Sequence, residues 1–113
     1  MIMDEKQALD AFAALSQETR LRIVRLLVTA GPEGLPAGAI GEAMDGASSS
    51  RISFHLSHLE HAGLVVSRRD GRSIIYSAAL PVLSGLVAFL MRDCCQGHPE
   101  VCHPAVAALS SCC

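Results

Sequence analysis

A chain of 113 residues, half of them apolar and 18% charged, has the size of one domain and enough apolar content for one core. The longest nearly uninterrupted apolar run, residues 81–91, is about half of the ~20 residues that a membrane span needs. The start, MIMDEKQALD, has acids where a secretory leader would have bases, so the expectation is a cytoplasmic protein with no membrane partner.

The net charge of −2 is unevenly spread. Residues 46–78 carry Arg51, Arg68, Arg69 and Arg72 against Glu60 and Asp70, making the middle third the only net-positive part. No nucleophile–base motif and no phosphate-cradling glycine loop appears, which argues against an enzyme.

In chain order, EKQALDAFAAL predicts a short helix with Ala8, Phe12 and Leu15 along one side. Ser16 is the expected N-cap of the next helix, with Glu18 in its first turn. That helix, QETRLRIVRLLVTA, places Leu21, Val24 and Val28 on one stripe with Ile23 and Leu27 beside it, and Gly31–Pro32 stops it. A third helix is expected over Leu35 to Met44, broken by Asp45–Gly46.

SSSRISFHLSHLEHAGL then reads as a helix capped by Ser48 or Ser49 and closed by Gly63. Ile52, Leu56 and Leu59 fall on one face, Ser50, Phe54, Ser57 and His61 roughly opposite, and Arg51 and Ser53 on the flanks. Two short helices around a glycine turn, the second with a polar outer face, form a helix-turn-helix pattern. LVVSRRDGRSIIYSA adds a hairpin around Asp70–Gly71, which would pair Arg69 with Arg72 beside Arg68. Like charges facing across a ladder suit an anion such as a DNA phosphate.

LPVLSGLVAFLMRDCC predicts a helix opened by Pro81 and apolar around nearly its whole circumference, from Val82 and Leu83 to Leu90 and Met91. Such a helix needs cover from a partner chain, so a homodimer is expected, with Gly85 as a point of close approach. All five cysteines follow: Cys94, Cys95, Cys102, Cys112 and Cys113. An odd, clustered set in a reducing compartment suits a thiolate site for a soft ion better than a disulfide framework.

LSQETRLRIVRLL, SSRISFHLSHLEHAGLV and RRDGRSIIY, in this order and spacing, resemble the ArsR/SmtB family of winged helix-turn-helix repressors, over residues 8–92. The resemblance implies a mainly α fold with a small β-hairpin (α+β), homodimeric, with residues 1–96 forming the DNA-binding and dimerisation domain and 97–113 a cysteine-containing tail. It implies double-stranded operator DNA as partner, released when an ion binds. Ser49, Ser50, Arg51, Ser53 and Phe54 would face DNA from the recognition helix, and Arg68, Arg69 and Arg72 would form the wing. Phe54 stands where many relatives have arginine, and would touch a thymine methyl rather than guanine.

The third helix reads AGAIGEAM, without the Cys-Val-Cys pair of many arsenic sensors, and Val82 to Arg92 lacks the Asp and His ligands of the zinc sensors. DCCQGHPEVC instead resembles the arsenic sensors with cysteines just past the last helix. Cys94, Cys95 and Cys102 would then give trivalent arsenic (arsenite) or antimonite three thiolates, with Cys112 and Cys113 as a secondary pair. An organoarsenical needs only two thiolates, and zinc or cadmium would recruit His98 or His103 as a fourth ligand. A redox-sensing repressor and a thiol metal chaperone are the remaining alternatives. His55, His58 and His61 read as structural or backbone-contacting residues.

Overall fold

The computed structural model describes residues 3–91 together with Pro104, Ala107 and Ala108. Helix α1 (Glu5–Leu15) opens on a capping box: Asp4 Oδ1 accepts from the Gln7 N–H at 2.7 Å, and Gln7 Oε1 accepts from the Asp4 N–H at 3.0 Å. Its buried stripe is Ala8, Ala11 and Ala14, with Phe12 and Leu15 packed at the edge. Helix α2 (Glu18–Ala30) is capped by Gln17, not by the expected Ser16. An N-cap needs extended backbone, which Gln17 adopts at φ −107°, ψ 134°, whereas Ser16 is near-helical and donates its hydroxyl to the Ala13 carbonyl at 2.8 Å.

The buried face of α2 is Arg20, Ile23, Val24 and Leu27. Leu21 and Val28, expected on the inner stripe, are exposed, because Arg20 occupies the position that an all-apolar count assigned elsewhere. Gly31, at φ 73°, ends α2, and a short 3-10 turn (Gly31–Glu33) leads into strand β1 (Leu35–Pro36). Gly34 lies in the left-handed region at φ 69°, and a Cβ there would collide with the Tyr76 carbonyl oxygen. Helix α3 (Ala37–Ala43) is shorter than expected, since Leu35 precedes a proline and the extended Pro36 stands at the N-cap.

Helix α4 (Ser49–His61) starts at Ser48, whose hydroxyl accepts from the Arg51 N–H at 3.4 Å, and ends before Gly63 at φ 78°. Strands β2 (Val65–Asp70) and β3 (Ser73–Ala78) follow, then helix α5 (Leu80–Met91). The sheet is antiparallel in the order β1-β3-β2, so β1 turns the expected hairpin into three strands. The core gathers Ile23, Leu27, Ile40, Ile52, Leu56, Leu59 and Leu64 between the helices and the sheet.

Two further expectations are corrected. The hairpin pairs Asp70 with Ser73 and Arg69 with Ile74, so Gly71 and Arg72 form the two-residue turn instead of Asp70 and Gly71. Gly71 supplies the positive φ, 63°, that the first central turn position requires, and Asp70 remains in the ladder. Gly85 is buried by its own chain and is therefore not the surface at which a partner approaches. No helix of the described residues is long and apolar enough to cross a membrane.

Candidate nucleic-acid interface

Helix α4 is divided lengthwise. Ile52, His55, Leu56 and Leu59 are buried, whereas Ser49, Ser50, Arg51, Ser53, Phe54 and Ser57 are exposed on the outer side. Phe54 is 65% exposed, an unusual state for an aromatic ring unless something covers it. Its ring meets His55 edge-on at 5.4 Å and His58 at 6.3 Å between centroids, which steadies it without burying it.

His55 supports the helix from below. The Arg20 guanidinium reaches it with Nη1 at 3.4 Å from Nδ1, and Arg20 Nε donates to the Ala14 carbonyl at 2.8 Å. A guanidinium only donates, so Nδ1 is the acceptor and the imidazole proton sits on Nε2. Burial, then the charges of Arg20, Arg51 and His58, hold the His55 pKa below the usual histidine value of 6.5. This Arg20–His55 support was missed in the sequence. The available signal was an arginine at the i, i+3/i+4, i+7 spacing of Ile23, Val24 and Leu27.

The hairpin separates the three wing arginines. Successive strand residues point to opposite faces, so Arg68 and Arg69 diverge. Arg69 and Arg72 are exposed at the tip. Arg68 instead donates from Nη1 to the Pro32 carbonyl at 3.2 Å and from Nη2 to the Glu33 carbonyl at 2.8 Å, fastening β2 to the turn after α2. On the other side, Ser67 Oγ donates to Glu60 Oε2 at 3.1 Å and fastens β2 to α4. Tyr76, whose pKa is raised by burial and by Glu60, lies opposite Ser67 in the register. The hairpin and the outer face of α4 are thus held as one surface.

Cys94, Cys95, Cys102, Cys112 and Cys113, with His98 and His103, lie outside the described residues. Among the described residues no group of three or more His, Cys, Asp or Glu is arranged to hold a metal, and His55, His58 and His61 form none.

A helical pair presenting a polar outer face beside an arginine-tipped antiparallel hairpin is a winged helix-turn-helix. A family model described as "Helix-turn-helix domain" matches residues 15–68. The Mycobacterium tuberculosis regulator Rv0081 is 38% identical over 77 residues, covering 68% of this chain and 65% of that protein, so this chain spans just under two thirds of it. A Streptomyces lividans protein named "Probable mercury resistance operon repressor" is 37% identical, covering 78% of this chain and 74% of its own. A solved structure described as "Possible transcriptional regulator for arsenical resistance" superposes with TM-score 0.63 at 32% identity, covering 84% of this chain and 95% of that one. A homodimeric winged helix-turn-helix DNA-binding domain from Mycobacterium bovis superposes with TM-score 0.62 at 26% identity, covering 82% and 84%. The chain belongs to the ArsR family of winged helix-turn-helix transcriptional regulators.

Proposed function

We propose that this protein is a repressor that binds operator DNA as a homodimer and leaves it when trivalent arsenic or antimony is captured by Cys94, Cys95 and Cys102. The observation that carries the DNA half is the joined surface of α4 and the hairpin, with Ser49, Ser50, Arg51, Ser53 and Phe54 beside Arg69 and Arg72. Serine hydroxyls and an apolar ring reach base edges, while exposed guanidinium groups meet phosphates. Dimerisation is supported by the outer side of α5, where Leu80, Val87 and Leu90 are exposed. There Val28, Leu80, Leu83 and Val87 border an apolar hollow of about 410 Å³ that a second copy would cover.

The inducer half rests on thiol chemistry and on the arsenical-resistance name carried by a similar protein. Arsenite takes three thiolates, and Cys94, Cys95 and Cys102 are the three that follow directly on α5. The test is an operator-release titration with Cys94→Ser/Cys95→Ser, Cys102→Ser and Cys112→Ser/Cys113→Ser. Arsenite release should vanish in the first, weaken sharply in the second and survive in the third. Dependence on the terminal pair alone would overturn the site assignment.

A second reading follows from the mercury-resistance relative. Mercuric ion is satisfied by two thiolates, so Cys94 and Cys95 would suffice for it. Release of the Cys102→Ser variant by mercuric ion but not by arsenite would favour that inducer.

A further inference from the structure

A second feature of α4 lies on the flank away from the hairpin. There the first turns of α2, the turn between α3 and α4, and the start of α4 enclose an open pocket of about 410 Å³. Its walls include Glu18, Arg22, Asp45, Ser48, Arg51 and His55. Arg22 and Asp45 face each other across the mouth with Nη2 3.8 Å from Oδ2, their side chains 47% and 85% exposed. Asp45 sits in the left-handed region at φ 60°, which aspartate and asparagine tolerate better than most residues.

We propose that this pocket seats a DNA backbone phosphate, with Arg22 and Arg51 as its cationic walls and Asp45 as the counter-ion that the phosphate displaces. The inference rests on the DNA-binding reading above and adds a contact that the wing does not supply. An α-helix with its side chains is about 10–12 Å across and the major groove is about 12 Å wide, so a seated helix has a phosphate chain on each side. The hairpin, joined to α4 through Ser67 and Glu60, serves one side. Arg51 and His55, on the other flank, open onto this pocket.

The chemistry of the lining fits a phosphodiester. His55 is 8% exposed, its Nδ1 takes the Arg20 donor, and its Nε2–H meets no acceptor among the described residues. That leaves a neutral donor in a lining it shares with Arg22 and Arg51. The Arg22–Asp45 pair is long and solvent-exposed, a geometry worth little and readily exchanged. Glu18 and Asp45 together balance Arg22 and Arg51, so a free anion gains little there. A phosphate brought by the duplex, already positioned by α4, gains two guanidinium contacts once Asp45 yields.

The experiment uses the full chain and a mixed-sequence duplex long enough for both half-sites, since phosphate contacts are sequence-independent. Binding is followed by anisotropy across a salt series. Arg22→Gln should lower the log–log salt slope by about 1.8, the loss of one phosphate in each of two subunits. Asp45→Asn, which keeps the turn conformation, should tighten binding by about two- to fivefold, the range of an exposed ion pair. In the Arg22→Gln background, Asp45→Asn should have no such effect. Thermal melts confirm that each variant is folded. An unchanged slope in folded Arg22→Gln, with wild type bound, would overturn this inference alone, as would weaker binding by folded Asp45→Asn. A wild type indifferent to duplex would overturn the DNA reading and the inference with it. Inorganic phosphate without duplex should leave the melting temperatures unmoved. Stabilisation by it that disappears in Arg22→Gln would overturn the assignment to DNA in favour of a free anion.

Discussion

Arg20 and His55 meet beneath the exposed side of α4, with Nη1 of the arginine 3.4 Å from Nδ1 of the imidazole. The same guanidinium caps the end of α1 by donating from Nε to the Ala14 carbonyl at 2.8 Å. One side chain therefore joins α1, α2 and α4, and the orientation of α4 against the helical body depends on it.

Removing this junction should be costly. Arg20→Met would leave a buried carbonyl and a buried imidazole nitrogen without their donor, a loss of about 2–3 kcal/mol. Arg20→Lys should recover little, because an ammonium lacks the planar fork that serves two acceptors at once. Urea unfolding measures both, and a wild-type midpoint in either variant would count against the junction.

The His55 pKa implies a pH dependence of stability. Burial first, and Arg20, Arg51 and His58 after it, lower the folded pKa beneath the unfolded value of about 6.5. The unfolded chain thus binds the proton more readily. Its contribution is fully present above about pH 6.5 and is lost as the pH falls through the lowered folded value. His55→Gln should flatten the acid side of the stability curve relative to wild type. Parallel curves for the two proteins would refute the linkage.

The wing arginines should separate into two behaviours. Arg69→Ala with Arg72→Ala should lower the salt slope of DNA binding by about 3–4, four contacts over a dimer. Arg68→Met should weaken binding without that change of slope, because its guanidinium is held by Pro32 and Glu33 rather than presented at the tip. A slope loss for Arg68→Met as large as for the tip pair would show that Arg68 contacts DNA instead.

On α5, neighbouring residues should also respond differently. Val87 is 47% exposed and borders the apolar hollow, whereas Leu86 is buried within its own chain. Val87→Glu should leave a folded protein that sediments as a monomer, while Leu86→Glu should unfold it by burying an unpaired carboxylate. A stable Val87→Glu dimer would place the interface elsewhere.

Much of this was legible in the sequence because backbone chemistry and periodicity act locally. Ser48, Gly31 and Gly63 cap and stop helices as residues of their kind do, and Ile52, Leu56 and Leu59 turn inward together. The errors arose where a long-range partner changed the local preference. Arg20 is drawn into the α2 stripe because Ala14 and His55 accept from it. Leu35 and Pro36 become a strand because β3 lies alongside to pair with them. The hairpin turn shifts by one residue, unpairing Arg69 from Arg72, and only the closed ladder shows that Arg69 stands opposite Ile74.

The fastening of Arg68 also has a mechanical consequence. Val28, which borders the α5 hollow, and Pro32, whose carbonyl holds Arg68, are four residues apart across the end of α2 at Gly31. A tilt of α5 against α2 therefore has a short route along the chain to the arginine-tipped hairpin. Any coupling along that route is reciprocal, so DNA seated on the hairpin would act on the α5 side by the same free energy.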